Sequence, residues 1–440
     1  MAAGSPAGTR RNGFANILKN LAWLLGGKGF GAVCSIAYLA ILSRSLGLRD
    51  FGHFALIFGT GQALVAIASF QTWQTIVKFG AEPLHRGDWP RFGRLAFLCG
   101  AIDVGGAVVG TLIAGAVYYG FAGALELNPR YIDMAFAFNV ALLWSRMTTP
   151  NGIVRVMDRF DLGIYVEAIV PAGRLLASLA ILAMGATVGR FLFAWAFFDL
   201  LVGLLYWIVA WRLVPDALHR PNFGRWREAF AENDGLARFF GVTYASSTLD
   251  AFYKQGPLLA VGYFLGTSSA GFYRLADQLA QGIGKLSQLL ARAIFPEFAM
   301  ARVAEGGGDF AKLVRQVTVV AGIAGVTVTL LALFAGEWVL MLIGGEDFTR
   351  GAAVLVPIAI GASFELAAVS YEPVLFSTGH AGYALVARTL AVLALALGIL
   401  AFIGLGAVGV GWAVALGLAI FYAVMSAMVW FVLSSQGRAA

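Results

Sequence analysis

The chain has 440 residues, of which 60% are apolar and only 12% charged, with a mean hydropathy of +0.79. An ordinary soluble domain is roughly a quarter charged, so that class is excluded. The net charge of +7 sits at the ends of apolar runs, with no basic tail or aromatic-basic motif. Nucleic acid is therefore not an expected partner, and the charge reads as membrane topology.

Met1–Gly13 is polar and basic, and the apolar run behind it is too long for the core of a cleaved signal. A helix crossing a bilayer needs about 20 mostly apolar residues. Twelve such stretches are expected in chain order: 15–42, 52–76, 95–120, 131–147, 162–185, 190–212, 239–264, 271–296, 314–343, 351–377, 384–404 and 408–434. The fold class expected is an all-α integral membrane protein with twelve transmembrane helices. Its lobes are residues 1–212 and 239–440, six helices each. Between them 213–238 reads as a solvated cytoplasmic linker, with Pro215, Pro221 and charges of both signs.

If the N-terminus is cytoplasmic, twenty lysines and arginines fall on that side. Only Arg44, Arg49, Arg130, Arg190 and Arg350 fall on the other. The positive-inside rule then places both termini in the cytoplasm.

The halves carry one motif twice. Leu46-Gly47, four residues, Gly52, one residue and Phe54 recur as Leu265-Gly266, four residues, Gly271, one residue and Tyr273. The offset is 219 residues, near half the chain, and Gln62 and Gln281 keep the same register. An internal duplication explains this spacing.

Six cations remain inside apolar stretches: Lys28, Arg174, Lys254, Arg274, Lys285 and Arg292. Each costs at least about 2.5–3.5 kcal/mol at the bilayer centre, so each needs a partner, water or a ligand. Arg274, Asp277, Gln281, Lys285, Gln288 and Arg292 recur at steps of three and four, which makes one polar face on the eighth helix. That face is either a packed polar seam or the lining of an aqueous cavity. Asp250 and Lys254 are spaced to pair, with Tyr253 beside them; Glu167 and Arg174, and Glu365 and Glu372, are each seven apart on one expected face. Helix-to-helix bonding and cavity lining are both open for these pairs. Lys28 lies among glycines halfway along the first helix, without the Gly-Lys-Ser/Thr ending of a phosphate loop. Asp103 and Asp199 stand alone in apolar surroundings, as single buried polar contacts. Arg146, Arg155 and Arg159 border the cytoplasmic side, as guides for an anionic headgroup or simply as topology.

Cys34 and Cys99 lie in apolar runs and the four histidines are scattered, so neither a disulfide framework nor a metal site is expected. No Walker motif is present and the loops are too short to carry enzyme chemistry; no cofactor is expected.

Several stretches resemble the polysaccharide transporters that flip lipid-linked oligosaccharides, the O-antigen flippases among them. Their superfamily also contains the multidrug and toxin extrusion antiporters. Arg44-Ser45-Leu46-Gly47 through Phe51-Gly52 is similar to the first-turn pattern of that family, with Phe54 where tyrosine is commoner. Gly152-Ile153-Val154-Arg155 with Arg159-Phe160 resembles the segment after its fourth helix. Leu265-Gly266 to Gly271-Phe272-Tyr273 with Ala276, Phe295-Pro296, Gly345-Glu346-Asp347-Phe348 with Ala352, and Ser377-Thr378-Gly379 resemble its second half. The resemblance implies a V-shaped pair of lobes around a central cavity, alternating access, and an undecaprenyl-pyrophosphate-linked sugar as substrate. It implies an inner-membrane location, membrane lipids as surroundings and a polysaccharide polymerase as a possible neighbour. The six cations suit a diphosphate, and Gln281, Gln288 and Tyr253 suit a sugar, with Asp250 and Asp277 as polar lining or coupling groups. A cation-coupled drug antiporter is the alternative. Such antiporters tend to carry an acid in the first helix, where this chain has Lys28. An enzyme acting on the same lipid-linked sugars ranks third.

Overall fold

In the computed structural model the described residues are 13–121, 127–304, 307–377 and 381–437, with side chains described outside 13–30, 220–221, 283–314, 316–317, 320, 373, 376–377, 381 and 435–437. Every regular element among them is helical: α1 (Gly13–Ala68), α2 (Thr72–His85), α3 (Trp89–Gly120), α4 (Ile132–Ser145), α5 (Thr149–Val156), α6 (Phe160–Met184), α7 (Val188–Leu213), α8 (Arg220–Gly224), α9 (Ala229–Glu232), α10 (Leu236–Ala304), α11 (Gly307–Gly344), α12 (Ala352–Ala367), α13 (Tyr371–Ser377), α14 (Ala381–Phe402) and α15 (Ala407–Gly437). Among the described residues, eight stretches are long and apolar enough to cross a membrane: 31–85, 89–120, 160–184, 188–213, 321–344, 346–367, 382–405 and 407–434. Their outward side chains fit lipid. Leu112, Leu176, Phe193, Leu204, Phe334 and Leu397 are all exposed, more apolar surface than a soluble protein tolerates. Of the other expected spans, α4 is short, at 14 residues, and α10 carries the polar face described above.

The duplicated motif is a duplicated bend. Gly47 in α1 has φ/ψ of 73°/175° and Gly266 in α10 has 80°/176°, a region of backbone space essentially reserved for glycine. Each glycine interrupts a long helix at a kink. The two copies also touch. A side chain on Gly52 would strike the Thr267 carbonyl, and one on Gly271 would lie 2.6 Å from the Leu48 carbonyl. Residues 267 and 271 are 48 and 52 shifted by the repeat offset, so the contact is reciprocal, as across a local two-fold axis. Duplication thus explains the spacing, and close backbone packing explains the glycines.

The chain packs as two units, Cys34–Gly271 and Met1–Val33 with Phe272–Ala440. In the first, Ile76, Phe92, Leu95, Leu98, Ile153 and Val214 form a core with Ala217, Ala229 and Leu236 of the connection between the halves. That connection is therefore docked, and the expectation of a solvated linker is corrected. Apolar burial of Ala217, Ala229 and Leu236 holds it, together with Arg94 of α3, which pairs with Glu232. Arg91 Nη2 donates to the Glu232 carbonyl at 2.6 Å. Arg225 donates to Glu228 at 2.8 Å and holds that carboxyl below its ordinary range, so this contact weakens as pH falls through the carboxylate range. Arg94→Ala is expected to free the segment. Limited proteolysis should then cut between Leu213 and Leu236 several-fold faster than in wild type; an unchanged cutting rate would show that the apolar contacts hold it alone.

In the second unit α12 meets α15 through Gly361, where an added side chain would lie 3.1 Å from the Ala415 backbone. Gly325 meets Ser363 at 2.9 Å in the same sense, and Ser363 Oγ donates to the Gly325 carbonyl at 2.7 Å. Small residues that let backbones approach, with hydroxyls bonding across the gap, are how helices associate in lipid. The expected continuous helix at 351–377 is broken: α12 ends at Ala367 and α13 begins at Tyr371. Glu365 and Glu372 therefore do not share one helical face. Glu372 instead accepts from Arg388 at 2.8 Å.

Candidate functional site

Among the described residues, buried charge gathers around Asp199 of α7. Asp199 accepts from Arg174 of α6 at 2.8 Å and from Arg146, at the end of α4, at 3.3 Å. Arg174 and Asp199 are buried, at 5% and 4% exposure, whereas the Arg146 side chain is 45% exposed. Two glycines bring these helices together. Gly173, beside Arg174, leaves room for the Phe198 ring, and Gly203, one turn beyond Asp199, lets the Ser145 carbonyl come within 2.8 Å of its missing side chain. The guanidinium of Arg174 also lies 5.0 Å from the Trp195 ring and 5.9 Å from Phe58, so aromatic faces and one carboxylate replace its water. Its Nε is buried without a hydrogen-bond partner.

Of the two readings left open for Glu167 and Arg174, the structure shows helix-to-helix bonding: Arg174 goes to Asp199 of α7. Glu167 accepts from Tyr206 at 3.0 Å. Asp199 therefore does not stand alone. Spacing along one helix identifies a shared face, but the partner came from a neighbouring helix.

Asp103 is likewise gathered into a network. Thr72 Oγ1 donates to Asp103 Oδ1 at 2.9 Å, and the Thr149 N–H, at the start of α5, donates to Oδ2 at 2.8 Å. Thr148 lies 2.7 Å from Thr72. The expected run 52–76 breaks here: Gln71 takes a left-handed φ of 52° and Thr72 opens α2. Arg155 stacks on the ring of Trp73, in the first turn of α2, at 4.3 Å. A recess between these groups is lined by Val65, Ala68, Ser69, Asp103, Ala107, Leu143, Arg146 and Met147. Ser69 Oγ is buried and unpaired there.

Two other expected groups form as the sequence indicated. Lys254 donates to Asp250 at 2.6 Å with Tyr253 beside it, half-exposed in the same segment of α10. Further along α10, buried Arg274 lies 3.4 Å from Asp277, which also accepts from Gln281 at 2.7 Å. The polar face of α10 is thus at least in part an internally bonded seam. The side chains of Lys28, Lys285, Gln288 and Arg292 lie outside the described residues. The association of Arg146 and Arg174 with Asp199 is what sequence spacing missed, because nothing along the chain links 146, 174 and 199. Among the described residues no group of His, Cys, Asp and Glu is arranged to hold a metal ion.

Comparison with known proteins agrees with this architecture. A solved multidrug resistance MATE family transporter of the MOP superfamily, in an inward-facing conformation, superposes with a TM-score of 0.75 at 12% identity, covering 93% of this chain and 96% of that one. The lipid II flippase MurJ superposes at 0.71 with 9% identity over 92% and 86%. Among curated sequences, inner membrane protein YghQ of Escherichia coli (strain K12) is 24% identical over 294 residues, 64% of this chain and 80% of its own length. The sequence profile of one family matches residues 17–302, well over half of the chain, and the protein belongs to that family, the polysaccharide biosynthesis proteins.

Proposed function

We propose that this protein is a flippase of the inner membrane. It moves an undecaprenyl-pyrophosphate-linked oligosaccharide from the cytoplasmic to the outer leaflet by alternating access, for lipopolysaccharide or exopolysaccharide synthesis. In this reading the chain crosses the membrane twelve times, in lobes 1–212 and 239–440 with both termini cytoplasmic, and a polymerase uses the product. The observation that carries it is the placement of arginines within apolar helices: Arg174 and Arg274 are buried in a family tied to polysaccharide synthesis. A cationic drug gains nothing from such residues, whereas a diphosphate gains charge-assisted hydrogen bonds in a low dielectric. Lys28, Lys254, Lys285 and Arg292 are assigned to the same anion, and Tyr253, Gln281 and Gln288 to the sugar. An inside-negative potential drives each exported negative charge outward by about 2.3 kcal/mol per 100 mV.

The second reading, a cation-coupled multidrug antiporter, is favoured by the likeness to MATE transporters and by the buried carboxylates Asp103 and Asp199. Reconstituted vesicles separate the two. The flippase reading expects movement of a lipid-pyrophosphate-linked oligosaccharide and none of a cationic drug. Lys28→Ala, Lys254→Ala and Lys285→Ala should insert and fold normally yet lose most of that movement. Gradient-driven drug uptake without sugar movement would establish the antiporter instead.

A further inference from the structure

Asp199 holds two arginines of unequal freedom. Arg174 is enclosed by Phe58, Trp195 and Asp199, and its shorter bond, 2.8 Å, is buried on both sides. Arg146 has the longer bond, 3.3 Å, a half-exposed side chain, and a place on the wall of the recess that reaches Ser69 and Asp103. Asp103 lines the same recess and is held by Thr72 and Thr149, one bond to each oxygen. Two guanidinium groups on one carboxylate leave the trio one positive charge in excess. A carboxylate bound by two arginines is also the arrangement in which arginines hold a phosphate-type anion.

The geometry points to an anion subsite at Arg146 and Arg174 in which Asp199 is a resident counterion, and a diphosphate exchanges with it on Arg146. Arg174 stays on Asp199 and fixes its position, and the exposed Arg146 turns from the carboxylate to the incoming phosphate oxygen. This assignment rests on the flippase reading for its ligand and deepens it. It makes Arg146 a ligand-binding residue and Asp199 a positioning residue that competes with the ligand. Asp199 therefore sets how readily the anion is released, because the carboxylate is at hand to retake the arginine. The purpose of an acid at this depth is then to keep binding reversible, since a transporter that holds its cargo too tightly cannot let it go.

The test is equilibrium binding of inorganic pyrophosphate to the purified full-length protein in nanodiscs, with thermal unfolding recorded on every variant. Asp199→Asn keeps the shape and one acceptor but removes the competing charge, and is expected to bind pyrophosphate about tenfold tighter. Arg146→Gln is expected to bind it at least as much weaker. The double variant should bind no tighter than Arg146→Gln alone, because the gain passes through Arg146. Asp133→Asn removes one negative charge from an exposed site, where Asp133 accepts from Tyr119, and is expected to bind as wild type does. No gain in a folded Asp199→Asn protein, a gain that survives loss of Arg146, or an equal gain in Asp133→Asn would each overturn the assignment. Failure of the flippase reading looks different: pyrophosphate would bind with this pattern, yet the lipid-linked sugar would not move in vesicles.

Discussion

Gly52→Ala and Gly271→Ala are each expected to destabilise the purified protein by about 1–3 kcal/mol, the range for forcing a methyl into a packed contact. Here the obstacle is backbone. Thr267 and Leu48 present carbonyls to the two positions, and neither can step aside as a side-chain tip would. Gly47→Ala and Gly266→Ala should cost a similar amount by the opposite route. Nothing lies within 4 Å of a side chain at Gly47, but its φ of +73° is strained for any other residue. Gly105 is the control: it is helical with open space around it, so Gly105→Ala should be neutral or stabilising. Thermal unfolding in one detergent ranks all five. If Gly52→Ala unfolded with Gly105→Ala, the backbone contact between the two bends would not be part of the stable fold. Because the contact is reciprocal, the Gly52 and Gly271 substitutions share one interface, and their combined cost should fall short of the sum.

These bends were legible in the sequence because they are a matter of spacing. Two glycines five apart, repeated 219 residues on, need no knowledge of what lies across from them. The Asp250–Lys254 pair and the Arg274, Asp277 and Gln281 face were legible for the same reason, being contacts within one helix. What spacing along one helix left open were the partners on other helices. Glu167 and Arg174 do share a face of α6, but a buried guanidinium goes to whichever carboxylate can be desolvated with it, and Gly173 and Gly203 bring Asp199 into that place. Glu365 and Glu372 share a face only if the helix runs unbroken, and it breaks between Ala367 and Tyr371, just ahead of Pro373 in the first turn of α13. The connection between the halves looked like a linker because its charges are closely spaced. One of those charges, Glu232, pairs with Arg94 on α3, and Arg91 donates to the Glu232 carbonyl, both more than a hundred positions away. Helix positions follow from local hydropathy; polar partners in a membrane protein follow from which backbones approach closely.

Asp199→Ala is expected to have the largest effect on stability, about 3–5 kcal/mol, because it strands the Arg174 charge in a site that is 5% exposed. Arg146 can return to water, since half of it is already there, but Arg174 has only the Phe58 and Trp195 faces left. Arg174→Ala should cost less. Asp199 then keeps Arg146, and the loss is one hydrogen-bonded pair and the packed stem of the arginine. Replacing both buried partners by apolar residues of similar size, as in Arg174→Met with Asp199→Leu, should recover much of the loss, because a desolvated ion pair contributes little net stability over good packing. Thermal or denaturant unfolding of the four proteins decides the matter. Asp199→Ala as stable as wild type would mean that Arg174 reaches water or another carboxylate. Recovery of stability in the double variant, without recovery of transport, would mean that the pair is retained for what it binds. That last combination is the one the proposed anion subsite predicts, since a desolvated ion pair adds little to the fold over good packing.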